Sequence, residues 1–424
     1  TEIRAGIQPD KYGKGVSVLY AAPDGTWTGI VENLPLLQKS NDAGNSIPVE
    51  ITGYDDLLLI RDMAGTYTVA ADIDLPEDWT PVGTADDPFT GVFDGGGHTI
   101  RGLNISTPGV AGFFGYTSGA VMKNLNITVK NITGSGGIGG VAGFSQNSTI
   151  ENVSVLISGV VTAYNPDNSW YAIGGIAGVS QESTIQNISV LISGRLTGPV
   201  EEPWEGEDSS SEVGGVVGFN NGGIVLNASV VITGAVTSAA NQIGGLAGCN
   251  NGFIITSSAT GNVSGTYQTG GLTGSNSGVI ADVYFTGRVT AGDSDGESLT
   301  GGLVGFNEGV IRNAYAAGTV DATGTGAGGL VGGVFDDDPD PESIHIFSTI
   351  ENSASLGESV NGTDPETGGF VGSGYRYDEE ETEIWGLITD CYTQSAITVN
   401  GEPVSESIRT GRLTAFPDFW NNKE

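Results

Sequence analysis

Residues 301–320 read GGLVGFNEGVIRNAYAAGTV, with five glycines and only two charged side chains in twenty positions. The same sentence stands earlier as GGLAGCNNGFIITSSATGNV at 244–263 and as GGVVGFNNGGIVLNASVVITG at 214–234. Glycine pairs recur at 139–140, 174–175, 214–215, 244–245, 270–271, 301–302, 328–329 and 368–369, and a degenerate ninth copy, VAGFFGY, begins at Val110. A second landmark follows each copy: an apolar residue, any residue, then a small polar one. In order these polar residues are Asn124, Asn152, Asn187, Asn227, Ser257, Asp282, Asn313, Asn352 and Asp390. From the second glycine the gap is 12 in the first five copies and 11 in the next two, and insertions lengthen it to 23 and 21 in the last two.

A fixed internal period is the mark of a repeat architecture. Around the landmark the chain alternates in short β-branched runs such as TIENVSVLISG and TIQNISVLISG, the pattern of strands. Such segments are too short to stand alone, but stacked copies bury one another's apolar faces. The expected fold is all-β, a right-handed parallel β-solenoid of about nine irregular coils with loop insertions; like residues of successive coils lie about 4.8 Å apart. Glycine is expected where the coil bends through positive φ and where the next backbone comes close. The Asn124-to-Asp390 series is expected to form a polar ladder at one corner.

With 70 glycines in 424 residues and 15% charged residues the chain is not composed like an ordinary enzyme, while 38% hydrophobic residues are too many for disorder. A net charge of −35 argues against nucleic acid and anionic lipid as partners and favours divalent cations. No apolar run approaches the ~20 residues of a membrane span, and the N-terminal residues lack a signal-peptide pattern, so the numbering reads as that of a mature chain. Nine Asn-x-Ser/Thr sequons point to a secreted protein. Asn152, Asn187 and Asn227 belong to the ladder and are poor acceptors; the glycosylation candidates are Asn104, Asn131, Asn147, Asn262 and Asn361.

Upstream of the repeats, residues 54–105 begin with a short helix or turn and carry ADIDL, DWTPVG and FTGVFDGGGHTI. This stretch and the repeats resemble GLUG-motif proteins over roughly residues 54–400. Repeats of that family occur in extracellular adhesins, in non-catalytic regions of secreted proteases and in archaeal surface proteins of the layer or sheath type. The resemblance therefore implies an extracellular or cell-surface location more than an activity. The expected organisation is an N-terminal cap or assembly segment (1–50), first coils with a short capping helix (51–110), the repeat solenoid (111–400) and a C-terminal cap or tail (401–424).

Charge concentrates in three insertions, at 201–212, 336–342 and 378–383, which hold 16 of the 50 acidic residues. Asp336, Asp337, Asp338, Asp340 and Glu342 form the candidate calcium site, since Ca²⁺ takes six to eight oxygen ligands; no motif calls for any other cofactor. Trp170, Trp204, Trp385 and Trp420 are the candidate binding or assembly aromatics. No catalytic residues are expected: Gly-His-Gly and Arg-x-Lys tripeptides are absent, only six lysines exist, and His98 belongs to the first-coil pattern. Cys249 and Cys391 fall four coils apart, roughly 19 Å at the coil spacing, beyond the ~7 Å reach of a disulfide.

These readings favour a structural extracellular protein that self-assembles into a cell-surface layer or sheath, with copies of itself as partners. An adhesin that binds surface glycans through its aromatics is the alternative. A polysaccharide-degrading enzyme comes third.

Overall fold

The computed structural model describes residues 48–403, apart from 61, 77, 165–169, 199–210, 240, 293–297, 325, 337–347, 363–366, 377–386 and 394–397, and three strands nearer the N-terminus. Residues 1–46 and 47–424 are separate compact units. In the first, Gly6–Pro9, Val16–Ala21 and Trp27–Leu34 pair antiparallel in a three-stranded sheet.

The second unit is a parallel β-solenoid. One coil runs through Leu299–Gly301, Val304–Asn307 and the long strand Val310–Ala322. Each segment pairs in parallel with its counterparts on the neighbouring coils, building an eight-stranded sheet, a nine-stranded sheet and a long sheet that bends within its strands. The register is residue on residue. The first glycine of each pair stands over the next in one file: Gly139, Gly174, Gly214, Gly244, Gly270, Gly301, Gly328 and Gly368.

Alternation decides which side chains go inward. Along Val310–Ala322, Ile311, Ala314, Ala316 and Val320 are buried while Tyr315 points to solvent. Successive coils bring Ile280, Val283, Phe285 and Val289 onto these residues. Each fully buried aliphatic contributes about 1.5–3 kcal/mol, so the coils hold one another together although no single segment would persist by itself.

Of the two causes expected for glycine, the pairs answer to the second, the close approach of the next backbone. None of them adopts positive φ. A Cβ on Gly301 would instead strike the carbonyl oxygen of Val304 and the amide nitrogen of Gly332 on the following coil. Close approach of backbone to backbone excludes every larger residue there. The left-handed conformation falls on the corner residues, where Asn and Asp accept it at modest cost.

Near the N-terminal end of this unit a single helical turn, Tyr54–Leu57, follows the short strand Val49–Ile51. The resembling first-coil segments fill the core: Phe89, Phe93, Phe113 and Phe114 are wholly buried. Trp79 stacks on Phe113 with centroids 4.8 Å apart and donates its indole N–H to the Phe113 carbonyl at 2.8 Å.

Candidate functional site

The long strands bend at residues with φ between 46° and 56°: Asn124, Asn152, Asn187, Asn227, Thr256, Asp282, Asn313, Asn352 and Asp390. Thr256 therefore occupies the fifth corner, not Ser257, which lies one residue on and is buried, its hydroxyl accepting the Ala228 N–H at 3.0 Å. Both residues fit a small-polar pattern, so counting alone could not separate them. Side-chain amides link the corners: Asn152 donates to Asn124 (3.2 Å), Asn187 to Asn152 (3.0 Å) and Asn227 to Asn187 (2.9 Å). Thr256 interrupts the file. It resumes with Asn313 donating to Asp282 (2.9 Å) and Asn352 to Asn313 (2.7 Å).

Each run begins on a carboxylate. Asn124 donates to Asp94 at 3.0 Å, and the second run starts at Asp282. Every amide donates toward the N-terminal coil, so the first member need only accept, and Asp accepts without donating. Burial pushes the Asp94 carboxyl up, but the Gly96 N–H, the Asn124 amide and the Lys123 ammonium outweigh it and hold the group below the usual carboxylate range.

A second file lies inside. The Asn220 amide donates to Asn250 (2.7 Å), Asn250 to Asn276 (2.8 Å), Asn276 to Asn307 (2.7 Å) and Asn307 to Ser348 (2.7 Å). All four Asn are fully buried, and each also donates to a glycine carbonyl two or three residues on. Sequence reasoning missed this file. Its signal was the Asn of GFN, GCN, GSN and GFN, at a constant five residues after the second glycine.

Most expected binding residues are not among the described ones. Asp337, Asp338, Asp340, Glu342, Trp204, Trp385 and Trp420 lie outside the described residues, and Asp336 is described only as the backbone end of Val331–Asp336. Glu212, counted with an acidic insertion, instead begins the strand Glu212–Gly214, is buried, and accepts the Trp170 indole N–H at 2.8 Å. Trp170 is thus fastened to its own solenoid. Among the described residues no group of three His, Cys, Asp or Glu side chains converges as metal ligands, and no helix is long and apolar enough to cross a membrane.

Three of the glycosylation candidates have committed side chains: Asn104 donates to Asp78 and accepts from Asn131, Asn131 also accepts the Val160 N–H, and Asn361 donates to Asp321. Asn147 is a half-buried turn residue and Asn262 is exposed on a strand. Cys249 and Cys391 are buried free thiols. His98 sits 3.5 Å from Asp72, which also pairs with Arg101 and accepts the Thr99 N–H at 2.9 Å. This group ties two coil edges together at the surface. Between Phe285, Gly287, Ala316, Gly318 and Val360 lies a cavity of about 10 Å³, room for one water and no substrate.

The GLUG motif model matches residues 296–321. The chain is 35% identical to halomucin of Haloquadratum walsbyi over 138 residues, 28% of this chain and 2% of halomucin; it therefore spans a small fraction of that relative. Among solved structures it is similar to an IgA1 protease at 18% identity with a TM-score of 0.37, over 94% of this chain and 25% of the other, a likeness too distant to carry an activity across. The chain thus carries a GLUG motif at residues 296–321, set among copies of the same Gly-Gly sentence that stack in register coil after coil.

Proposed function

We propose that the chain is a structural protein of the cell surface, a stiff block that assembles with copies of itself into a layer or sheath. One observation carries the reading: the coils stack residue on residue with their interior filled by side chains, so recognition falls to the flanks and ends of the rod. The GLUG motif, frequent in surface proteins, and the likeness to halomucin support the location. Unpaired strand edges at solenoid ends favour association unless they are covered. Calcium enters as the counter-ion that would let chains of charge −35 approach one another. The test is sedimentation and electron microscopy of the full chain at high concentration, with and without Ca²⁺. Ordered sheets or filaments are expected; a strict monomer in both conditions overturns the reading.

A second reading, a glycan-binding surface module, is favoured by one observation. Tyr284 and Tyr315 stack with centroids 5.2 Å apart and planes 6° from parallel, and both are exposed. Such a platform suits a sugar ring. Glycan binding lost in Tyr284→Ala and Tyr315→Ala would support it.

A further inference from the structure

The long sheet has one outer face that is nearly empty of acid. It is formed by the residues that follow the corner on six coils, within 154–162, 189–197, 229–237, 258–264, 284–290 and 315–321, which pair in parallel throughout, with one two-residue shift of register between Val231 and Val236. In a chain with 50 acidic and 15 basic residues these segments contain two arginines, Arg195 and Arg288, and one carboxylate, Asp321. Arg288 and Asp321 pair at 2.7 Å. The face carries +2 − 1 = +1 while the whole chain carries −35.

The same face displays apolar side chains that solenoid packing does not cover. Val160, Leu191, Val231, Tyr284 and Tyr315 are each between 37% and 42% exposed. Leu191 stands beside Val231, and Tyr284 beside Tyr315, in adjacent coils. Most of the remaining outward residues are Ser and Thr, which give up water at far less cost than carboxylates do.

We propose that this face is the contact between two copies of the chain. The inference rests on the assembly reading above and names its surface. Two copies repel wherever their acids meet, so a stable contact requires ground where acids are missing, and this face provides it. Its size also fits. Five coil steps of about 4.8 Å by seven to nine residues of about 3.3 Å span roughly 24 by 23–30 Å, on the order of 600 Å². A standard interface buries about 800 Å² per partner. A core of Leu, Val and Tyr within a hydroxyl-rich rim matches the anatomy of such contacts.

Asn262 lies on this face, beside Arg288 of the next coil. A glycan there would hold two copies apart, so the proposal requires an unmodified Asn262.

The test compares wild type, Leu191→Asp and Val231→Asp, with Asn221→Asp on a different sheet as control, by analytical ultracentrifugation of the full chain. Far-UV circular dichroism checks folding, and Leu191→Ser serves as a gentler variant should the aspartates misfold. Wild type and control should assemble alike. The face variants should need at least tenfold more protein for the same assembled fraction, with Leu191→Ser intermediate. Assembly by the face variants at wild-type concentrations overturns the face and leaves the assembly reading standing. No assembly by wild type in any condition overturns both. Glycan binding that depends on Tyr284 and Tyr315 in a monomeric protein, or an intact mass showing a sugar on Asn262, assigns the face to another role and overturns the proposal.

Discussion

The Asn313 amide donates to the Asp282 carboxylate on the preceding coil at 2.9 Å. Asp282 itself holds φ 56°, and Asn313 φ 50°. The contact therefore joins two left-handed corners, one able only to accept and the other able to do both. Replacing Asn313→Asp keeps the backbone preference and removes the donor, so two carboxylates face each other and Asn352 keeps its acceptor. The variant should lose about 1–2 kcal/mol at neutral pH, within the range of a lost charge-assisted hydrogen bond. Sharing a proton between the two carboxyls would restore the link, so the folded variant binds protons more readily than the unfolded one. Its deficit relative to wild type should shrink on acidification. Denaturant melts at pH 7 and pH 4 check this; a deficit that grows on acidification contradicts the donor assignment.

The inner file makes a stronger demand. Asn276 accepts from Asn250 and donates both to Asn307 and to the Gly278 carbonyl, with no exposure to solvent. Asn276→Ala leaves a buried donor on Asn250 and a buried acceptor on Asn307 without partners, each costing about 1–3 kcal/mol. A loss of roughly 3–5 kcal/mol is expected, against about 0.5 kcal/mol or less for Asn262→Ala on the exposed strand. Thermal melts of the two variants side by side decide it, and equal shifts would mean that the file contributes little.

Legibility in the sequence tracked how uniquely each residue type answers a local need. The glycine file could be read because no other residue fits where backbones of adjacent coils touch, so the pair at 301–302 recurs with little variation. Its physical cause could not be read: φ and close approach leave the same letter behind. At the fifth corner Thr256 and Ser257 are chemically alike, and only the backbone conformation tells them apart. The inner Asn file stayed hidden because an Asn two residues before a Gly is an ordinary signature of a turn, and burial, which makes Asn307 a core residue, leaves no trace in its identity. The acid-poor face was legible in part, since the coils had few charges. That they form one continuous surface required the register.

Gly301 and Gly97 separate the two reasons for glycine. A Cβ on Gly301 collides with Val304 and Gly332 backbone atoms that have no room to retreat, whereas Gly97 has open space around it and φ of 80°. Gly97→Ala should cost about 1–2 kcal/mol, the penalty for a side chain in left-handed conformation. Gly301→Ala should cost at least twice as much, or abolish soluble expression, because the strands must part. Matched thermal midpoints for the two variants would show that the coils can spread and that the close approach is not what selects glycine.

The two thiols offer a check on the depth of the core. Burial pushes the Cys249 thiol up, with the Glu212 and Glu308 carboxylates adding to the effect, and its S–H faces the Asn251 amide oxygen at 3.4 Å. Cys391 is buried and directs its thiol to the Ile350 carbonyl at 3.5 Å. Reactivity requires an accessible thiolate, and neither residue supplies one while the coils are stacked. A thiol reagent at pH 8 should therefore find essentially no cysteine in the native chain and both cysteines after denaturation, with no disulfide-linked dimer on a non-reducing gel. The slow native reaction should follow the opening of the coil that carries each residue, so Cys391, in the last described coil, should react before Cys249, which lies between coils on both sides. Rapid labelling of Cys249 in the native chain would place it outside the core and break the proposed order of coil opening.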